Sequence, residues 1–128
     1  MSLEVEVIGR PAQAPPDAEI ERLVALAVGS AGITEGHVAV EFVSAVRIAE
    51  LNVAHRGVEG PTDVLSFPID GEGDASPGPV ELGDIVICPP HTADLREAVV
   101  HGALHLTGMD HKTDHGEMLA LQAEILSW

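Results

Sequence analysis

Apolar and polar residues alternate along short stretches of this chain, and apolar stripes with helical spacing lie between them. The alternation at 3–7 and at 38–42 predicts two strands that each bury one face. The short apolar stretch Val64–Phe67, closed by Pro68, predicts a third strand. The nearly continuous apolar stretch Leu82–Cys88 is typical of a strand in the centre of a sheet. The pattern therefore predicts about four strands.

Helical stripes predict four helices between and after these strands. Asp17 and Ser44 are suitable N-caps for the first two, and Asp114 with Glu117 resembles a capping box for the last. The Gly- and Pro-rich acidic stretch 70–79 is expected to be a loop. We expect one α+β domain over 1–128, with helices packed against a mixed sheet. The predicted helices cover 17 to about 29–32, 44 to about 55, about 92–107, and 114–128.

The composition restricts the classes of function. Apolar residues make up 45% of the 128 residues, enough for a core, which excludes a disordered chain. The chain has six Lys and Arg and 21 Asp and Glu, which give a formal net charge of -15. Neither a basic nucleic-acid surface nor attraction to an anionic membrane is therefore expected. The single cysteine, Cys88, excludes an intrachain disulfide and a CxxC metal site. Without a signal-like N-terminus or a membrane-length apolar stretch, a cytoplasmic protein is expected.

The segment His101–His111, HGALHLTGMDH, carries the most specific chemical signal in the chain. His101 and His105 are one helical turn apart, so both imidazoles leave one face of the predicted helix. Gly108 stands where that helix should end, because glycine accepts the left-handed conformation that turns the chain back, and the turn can bring His111 to face the other two. Three imidazoles with one open position are the ligand set of a catalytic zinc site, so one Zn²⁺ per chain is expected.

The spacing HxxxHxxGxxH matches that of the metzincin metallopeptidases except at one position. Their general base is the glutamate that follows the first histidine, and this chain has Gly102 there. Without that carboxylate, nothing at this position can take a proton from water and return it to a leaving amine. The motif therefore predicts a metal site but not a peptidase.

A histidine pair at this spacing on an apolar helix is by itself more often structural than metal-binding. The helix-ending glycine and the third histidine at the matching offset shift the interpretation to a bound metal. His115, four residues after His111, is an alternative ligand, although it coincides with the start of the last helix. The histidines without the motif spacing are assigned to the surface or to the surroundings of the site: His37, His55, His91 and His115.

Four blocks of the sequence, in this order, resemble the YbeY family of bacterial endoribonucleases, which are rRNA maturation factors. They extend from about Leu51 to the C-terminus, whereas the preceding part is similar only in its pattern of strand and helix. The last block and PTDVLSFP are the most specific. The blocks are 51–57, PTDVLSFP at 61–68, LGDIVIC at 82–88 and HGALHLTGMDH at 101–111.

The resemblance implies a zinc-dependent endoribonuclease that cuts single-stranded RNA, trims rRNA 3′ ends and takes part in ribosome quality control. It assigns the metal ligands of the family to His101, His105 and His111, on a helix like that of the zincins, and its functionally important arginine to Arg56. The partners that it implies are rRNA or its precursors and the ribosomal particle or assembly proteins. No DNA and no membrane are expected among the partners.

The chemistry of Arg56 suits this role, since a planar, permanently charged guanidinium can hold two phosphate oxygens and stabilise charge that develops on phosphorus. Without the family, a local ion pair with Glu59 is the more ordinary interpretation. Thr62 and Asp63 could orient Arg56 or an imidazole, or only form the turn before the strand, and they are left out of the predicted site. Asp110 could accept a hydrogen bond from a ligand imidazole or cap the turn.

Three departures from the family pattern concern substrate contacts. His55 stands where the family usually has an aromatic residue, and Met109 stands where it often has tyrosine. The stretch between Cys88 and His101 is also shorter than is usual in the family. About two and a half helical turns remain from Thr92 to His101, which suffices to position the histidine pair.

When bound, zinc would polarise a phosphoryl oxygen or lower the pKa of a water toward 7, while Arg56 neutralises the phosphate. No residue is assigned as general base, so hydrolysis and internal attack by the ribose 2′-OH both stay open. Few cations and few aromatic residues predict weak, base-unspecific affinity for free RNA, with the substrate presented by the ribosomal particle or a partner. Two other classes stay open: a non-catalytic ribosome-assembly factor with a structural metal, and a small-substrate zinc hydrolase with a deep pocket.

Overall fold

The computed structural model describes residues 3–68, 81–108 and 116–127. Within these ranges the chain forms four strands, four α-helices and one 3₁₀ turn, Pro89–His91. The strands and α-helices are, in chain order, β1 (Leu3–Ile8), α1 (Asp17–Gly29), β2 (Gly36–Phe42), α2 (Ala45–Arg56), β3 (Val64–Pro68), β4 (Glu81–Ile87), α3 (Leu95–Leu106) and α4 (Glu117–Ser127).

The four strands form one mixed sheet in the order β1-β2-β4-β3. β1, β2 and β4 are parallel, while β3 is antiparallel to β4 and forms one edge of the sheet. The register of that edge runs from Val64 opposite Ile87 to Pro68 opposite Gly83. This architecture confirms the predicted α+β class, the mixed four-stranded sheet and the helices packed against it.

The two faces of the sheet bury separate apolar clusters, because successive side chains of a strand point to opposite faces. On β4, Ile85 and Ile87 belong to the main core, whereas Val86 belongs to a smaller cluster with Cys88. Helices α1, α3 and α4 supply most of the other members of the main core, and α2 supplies Ile48 to the smaller one. Helices α2 and α3 therefore cover opposite faces of the sheet.

Helix α3 begins later than the sequence pattern predicts. The predicted start at Thr92 is wrong, because Pro89–His91 form a 3₁₀ turn and the Thr92 hydroxyl donates a hydrogen bond to the Cys88 carbonyl at 2.7 Å. Asp94 is the N-cap, and its carboxylate accepts hydrogen bonds from the backbone N–H groups of Arg96 and Glu97. These contacts still leave a turn and a half of helix before the histidines.

The predicted N-caps of the first two helices are confirmed in part. Ser44 is the N-cap of α2, as predicted, and accepts a hydrogen bond from the Arg47 N–H at 3.1 Å. Asp17 is not a cap but the first helical residue, since Pro16 occupies the N-cap position. Val46, in the first turn of α2, is 72% exposed and does not contribute to either core.

Some predictions concern residues outside the described ranges. They include the acidic loop at 70–79, the capping residue Asp114 and the C-terminal Trp128. Within residues 3–68, 81–108 and 116–127, no helix has the length and apolar character needed to cross a membrane.

Candidate metal centre

Helix α3 is held on the sheet by one face and carries two histidines on another. Val99, Val100, Ala103 and Leu104 are fully buried in the main core and anchor the helix. The histidines at positions 101 and 105 are half-buried. The helical repeat therefore places both imidazoles beside the core rather than inside it.

The two imidazoles converge on each other. The ring centroids of His101 and His105 are 4.7 Å apart with an interplanar angle of 75°, and the two Nε2 atoms are 3.2 Å apart. The helix ends directly after them. Gly108 has a φ of 96°, as expected for the left-handed residue that ends a helix, and its N–H bonds to the His105 carbonyl.

A third side chain, that of Gln122, contacts this histidine pair, and the sequence analysis did not predict it. Gln122 on α4 is 8% exposed, and its Oε1 lies 2.8 Å from Nδ1 of His101. The sequence contained a signal for it, since a polar residue stands among apolar ones on the buried face of α4, between Met118 and Ile125. A buried polar side chain in such a position needs a hydrogen-bond partner.

The geometry of the pair fits two ligands of one zinc ion. Two nitrogens bound at about 2.0–2.1 Å with a tetrahedral angle lie about 3.3 Å apart, close to the 3.2 Å between the Nε2 atoms of His101 and His105. The predicted third ligand, His111, lies outside the described residues, as do Asp110 and the alternative ligand His115. Among the residues that are described, no group of three or more His, Cys, Asp or Glu is placed to hold a metal. The complete ligand set therefore stays a prediction.

Gly102, between the two histidines, faces the sheet and not the imidazoles. A Cβ at this position would lie 2.5 Å from Cγ2 of Ile85 and 3.2 Å from both Cγ2 of Val64 and Oγ of Ser66. The Ser66 hydroxyl also donates a 2.8 Å hydrogen bond to the Gly102 carbonyl. There is no room for the glutamate of the metallopeptidases, so the exclusion of a peptidase has a steric basis as well as a chemical one.

Arg56 is the last residue of α2 and is exposed. Gly57, with a φ of 68°, ends the helix immediately after it. Next to Arg56, the His55 ring lies 4.5 Å from that of Phe67 on the edge strand β3. His55, which precedes Arg56, contacts β3, and Ser66 of the same strand contacts α3. No contact joins Arg56 itself to His101 or His105 within the described ranges.

Arg56 differs from the other arginines in its lack of a carboxylate partner. Within the described part of the chain it forms no salt bridge, and the ordinary alternative, a pair with Glu59, is not formed. Every other arginine of those residues has an acidic partner. These pairs are Arg10 with Asp17, Arg22 and Arg96 with Glu19, and Arg47 with Glu50.

The segment that follows Arg56 is held by hydrogen bonds of a structural kind. Asn52 is buried and donates to the Gly60 carbonyl at 3.0 Å, which ties the turn after α2 to the helix. The Asp63 carboxylate accepts from the Val64 N–H at 2.8 Å, and its backbone carbonyl accepts from the Cys88 N–H at 2.8 Å. Asp63 thus has the turn-and-strand role that was one of its two interpretations.

The remaining described histidines do not join the pair on α3. His37 lies between two carboxylates, with Nδ1 at 2.9 Å from Glu81 and Nε2 at 3.2 Å from Glu6. The hydrogen bond to Glu81 is the main reason why the pKa of His37 is raised above its ordinary value. His91 is exposed on the 3₁₀ turn. These positions agree with the surface role that their sequence context predicts.

A groove of about 660 Å³ lies at the other end of α3, between the proline-rich segment before α1 and the start of α3. Its walls include Pro15, Glu19, Thr92, Asp94 and Arg96. The histidines of α3 are not part of it, so this groove does not supply the deep metal pocket that a small-substrate hydrolase would need.

A sheet-packed helix with two converging imidazoles, in a domain with a mixed four-stranded sheet, defines a small α+β protein with a candidate metal centre. The sequence model of the family described as Endoribonuclease YbeY matches residues 14–128. The chain belongs to this family, which confirms the resemblance found in its motifs.

Individual relatives agree with this assignment. The Endoribonuclease YbeY of Corynebacterium glutamicum is 39% identical over 114 residues, which cover 73% of this chain and 58% of the relative. That of Bacillus licheniformis is 35% identical over 150 positions, which cover 99% of this chain and 95% of the relative. A Thermotoga maritima protein solved in solution is 26% identical, with a TM-score of 0.53 over 96% of this chain and 87% of that protein.

The chain is shorter than several of its relatives. It spans 58% of the length of the Corynebacterium glutamicum protein and 55% of that of Corynebacterium diphtheriae. The alignment with the Bacillus licheniformis protein extends over 150 positions, although this chain has 128 residues, so that relative contains segments which this chain lacks.

Proposed function

We propose that this chain is a single-strand-specific, zinc-dependent endoribonuclease that acts in the cytoplasm on rRNA or its precursors, in 3′-end maturation and ribosome quality control. Membership of the YbeY family supports an endoribonuclease role, hence a hydrolase of the nuclease class. The observation that carries the metal dependence is the 3.2 Å separation of the Nε2 atoms of His101 and His105. Zinc, when bound, would supply Lewis acidity toward a phosphoryl oxygen.

The residues of the site have separate tasks in this proposal. His101 and His105 present their Nε2 atoms to the ion, and His111 is the expected third ligand. The guanidinium of Arg56 binds the phosphate of the RNA and offsets the charge that builds up during cleavage. Among the described residues Arg56 has no carboxylate partner, which supports a role in binding phosphate in a chain with a net charge of -15.

No residue is assigned as the general base that takes a proton from the attacking group during RNA cleavage. Gly102 replaces the glutamate that would act as general base in a metallopeptidase, and its Cα is packed against the sheet. Two routes are consistent with this arrangement: attack by water, and internal attack by the ribose 2′-OH of the substrate. The ends of the products distinguish these routes, because only internal attack leaves a 2′,3′-cyclic phosphate.

The charge distribution also favours a second candidate, a non-catalytic ribosome-assembly factor. Four of the five arginines in the described ranges are engaged in salt bridges, which leaves little cationic surface for RNA. In the endoribonuclease proposal, the ribosomal particle or an assembly protein presents the RNA to the site. In the second candidate, the same partners bind the chain, but no bond is cleaved.

A cleavage assay on single-stranded rRNA precursors separates the two candidates. The wild-type chain is expected to cut the precursor after zinc is supplied, to lose activity with a chelator, and to leave a fully duplex RNA intact. The His105→Ala variant is expected to be inactive, while His91→Ala, which changes an exposed histidine away from the pair, keeps activity. A wild-type chain that leaves the precursor intact, even on ribosomal particles, would contradict the proposal and favour the assembly factor.

A further inference from the structure

Gln122 occupies a position on α4 that its neighbours would predict to be apolar. Met118 and Ile125 on the same face are fully buried in the main core, and Gln122 is 8% exposed between them. Burying an amide without a hydrogen-bond partner is unfavourable. The partner of this amide is the imidazole of His101 on the neighbouring helix, at 2.8 Å.

This contact fixes the position of one proton. An amide oxygen can only accept, so Nδ1 of His101 is the donor in its hydrogen bond with Oε1 of Gln122. A neutral imidazole that carries its proton on Nδ1 has a lone pair on Nε2. That Nε2 is the atom that lies 3.2 Å from Nε2 of His105.

The hydrogen bond also fixes the orientation of the ring. The imidazole of His101 is held at one end by α4 and faces His105 at the other, with 75° between the two ring planes. Histidines that bind metals usually donate their other N–H to an acceptor that sets the tautomer and the ring orientation. The sequence offered Asp110 for this task, and that residue lies outside the described ranges. At Nδ1 of His101 the acceptor comes from α4.

We propose that Gln122 is a positioning residue that holds His101 as the Nδ1–H tautomer, so that its Nε2 is available to a divalent metal ion together with Nε2 of His105. The inference rests on the metal dependence of the proposed function. It goes beyond it by assigning a task to α4, which carries no residue of the histidine motif. Loss of such an acceptor typically weakens metal binding by about 10–100-fold.

Two readouts test the inference. Two-bond ¹H–¹⁵N correlation spectra of the metal-free protein report the tautomer of His101, and competition with a fluorescent chelator reports the affinity for Zn²⁺. Gln122→Met keeps the size of the side chain but removes the acceptor, whereas Gln122→Glu keeps an acceptor oxygen. Met118→Leu, which changes a buried neighbour on the same helix, is the packing control.

The wild-type protein is expected to show the Nδ1–H tautomer at His101. Gln122→Met should lose this preference and bind Zn²⁺ about 10–100-fold more weakly, while Gln122→Glu and Met118→Leu retain both properties. A wild-type His101 protonated on Nε2 would overturn the inference without any variant. Gln122→Met with unchanged tautomer and affinity would also overturn it, and would leave the metal site itself intact. A wild-type chain that does not bind Zn²⁺ at all would overturn the proposed metal dependence and this inference together.

Discussion

The backbone of Gly102 on α3 lies so close to Ile85 on β4 that a Cβ on the glycine would be 2.5 Å from Cγ2 of the isoleucine. This close contact sets the distance between α3 and the sheet. Ser66, on the edge strand, contributes by donating its hydroxyl to the Gly102 carbonyl at 2.8 Å. Gly102 therefore packs against the sheet, whereas the imidazoles of His101 and His105 face each other on another side of the helix.

Gly102→Ala is expected to destabilise the fold. The added methyl meets Ile85 and Val64, whose β-branched side chains are stiff, and overpacking of a core costs about 1–3 kcal/mol. The higher helix propensity of alanine offsets up to about 1 kcal/mol of this cost. Urea unfolding should show a net loss on the order of 1–2 kcal/mol.

The matched control for this substitution is Gly29→Ala. Gly29 is the last residue of α1, its φ lies outside the left-handed range, and a Cβ there would meet nothing within 4 Å. We expect that variant to be as stable as the wild type or slightly more stable. If Gly102→Ala were as stable as Gly29→Ala, the close approach of α3 to the sheet would be refuted.

Arg56→Glu is expected to abolish RNA cleavage without a loss of zinc or of fold. The substitution reverses an exposed charge that has no carboxylate partner among the described residues, so no stabilising ion pair is lost. It places a like charge beside the phosphate, which removes the stabilisation of the developing charge. Cleavage rates, zinc content and the unfolding temperature are the three quantities to measure.

Arg47→Glu is the control on the same helix, because Arg47 is also exposed but already pairs with Glu50. It should retain cleavage. Equal activity of the Arg56→Glu variant and the wild type would show that Arg56 does not contact the RNA, or that the measured cleavage comes from a contaminating nuclease.

His37 should make the stability of the fold depend on pH. Its pKa is raised mainly by the hydrogen bond to Glu81, and further by Glu6, against the effect of burial. A pKa above that of the unfolded chain means that protonated His37 stabilises the fold below about pH 6.5. This stabilisation is lost as the pH rises through the pKa of the folded state.

The free energy of unfolding, measured from about pH 5.5 to 8.5, tests this expectation. The wild type should lose more stability across the range than His37→Gln does. His91→Gln, which removes an exposed histidine, should follow the wild type. Identical pH dependence of the wild type and His37→Gln would contradict the assigned role of the two carboxylates.

Free single-stranded RNA should bind weakly. The net charge is -15, and Arg56 is the one arginine without a salt bridge within the described ranges. Each neutralised phosphate of a single strand contributes about -0.7 to the slope of log K against log salt. We therefore expect a shallow slope, on the order of -1 to -2. Filter binding at about 0.15 M salt measures both quantities, and nanomolar affinity for a free oligonucleotide would contradict this expectation.

The parts of the fold that local pattern determines were predictable from the sequence. The buried face of α3, its end at Gly108 and the Ser44 cap depend on residues within a few positions of each other. The start of α3 was predicted too early, because the hydrogen bonds around Pro89–His91 and Thr92 compete with the helix. Helical periodicity alone does not show such competition.

Contacts between distant segments were not predictable in the same way. Gln122 and His101 are 21 residues apart, and their hydrogen bond depends on the packing of α4 against α3. The close approach of Gly102 to Ile85 likewise requires the position of α3 on the sheet. The sequence did show that position 102 lacks the peptidase glutamate, but the steric reason for glycine there came from the structure.

The proposed function requires that His101 and His105 bind one metal ion together. Elemental analysis after loading with zinc and removal of the excess tests it most directly, on the wild type and the His105→Ala variant prepared in parallel, with His91→Ala as the control. One zinc per chain is expected in the wild type and in His91→Ala, and little or none in His105→Ala. The same zinc content in His105→Ala as in the wild type, or no zinc in the wild type, would contradict it.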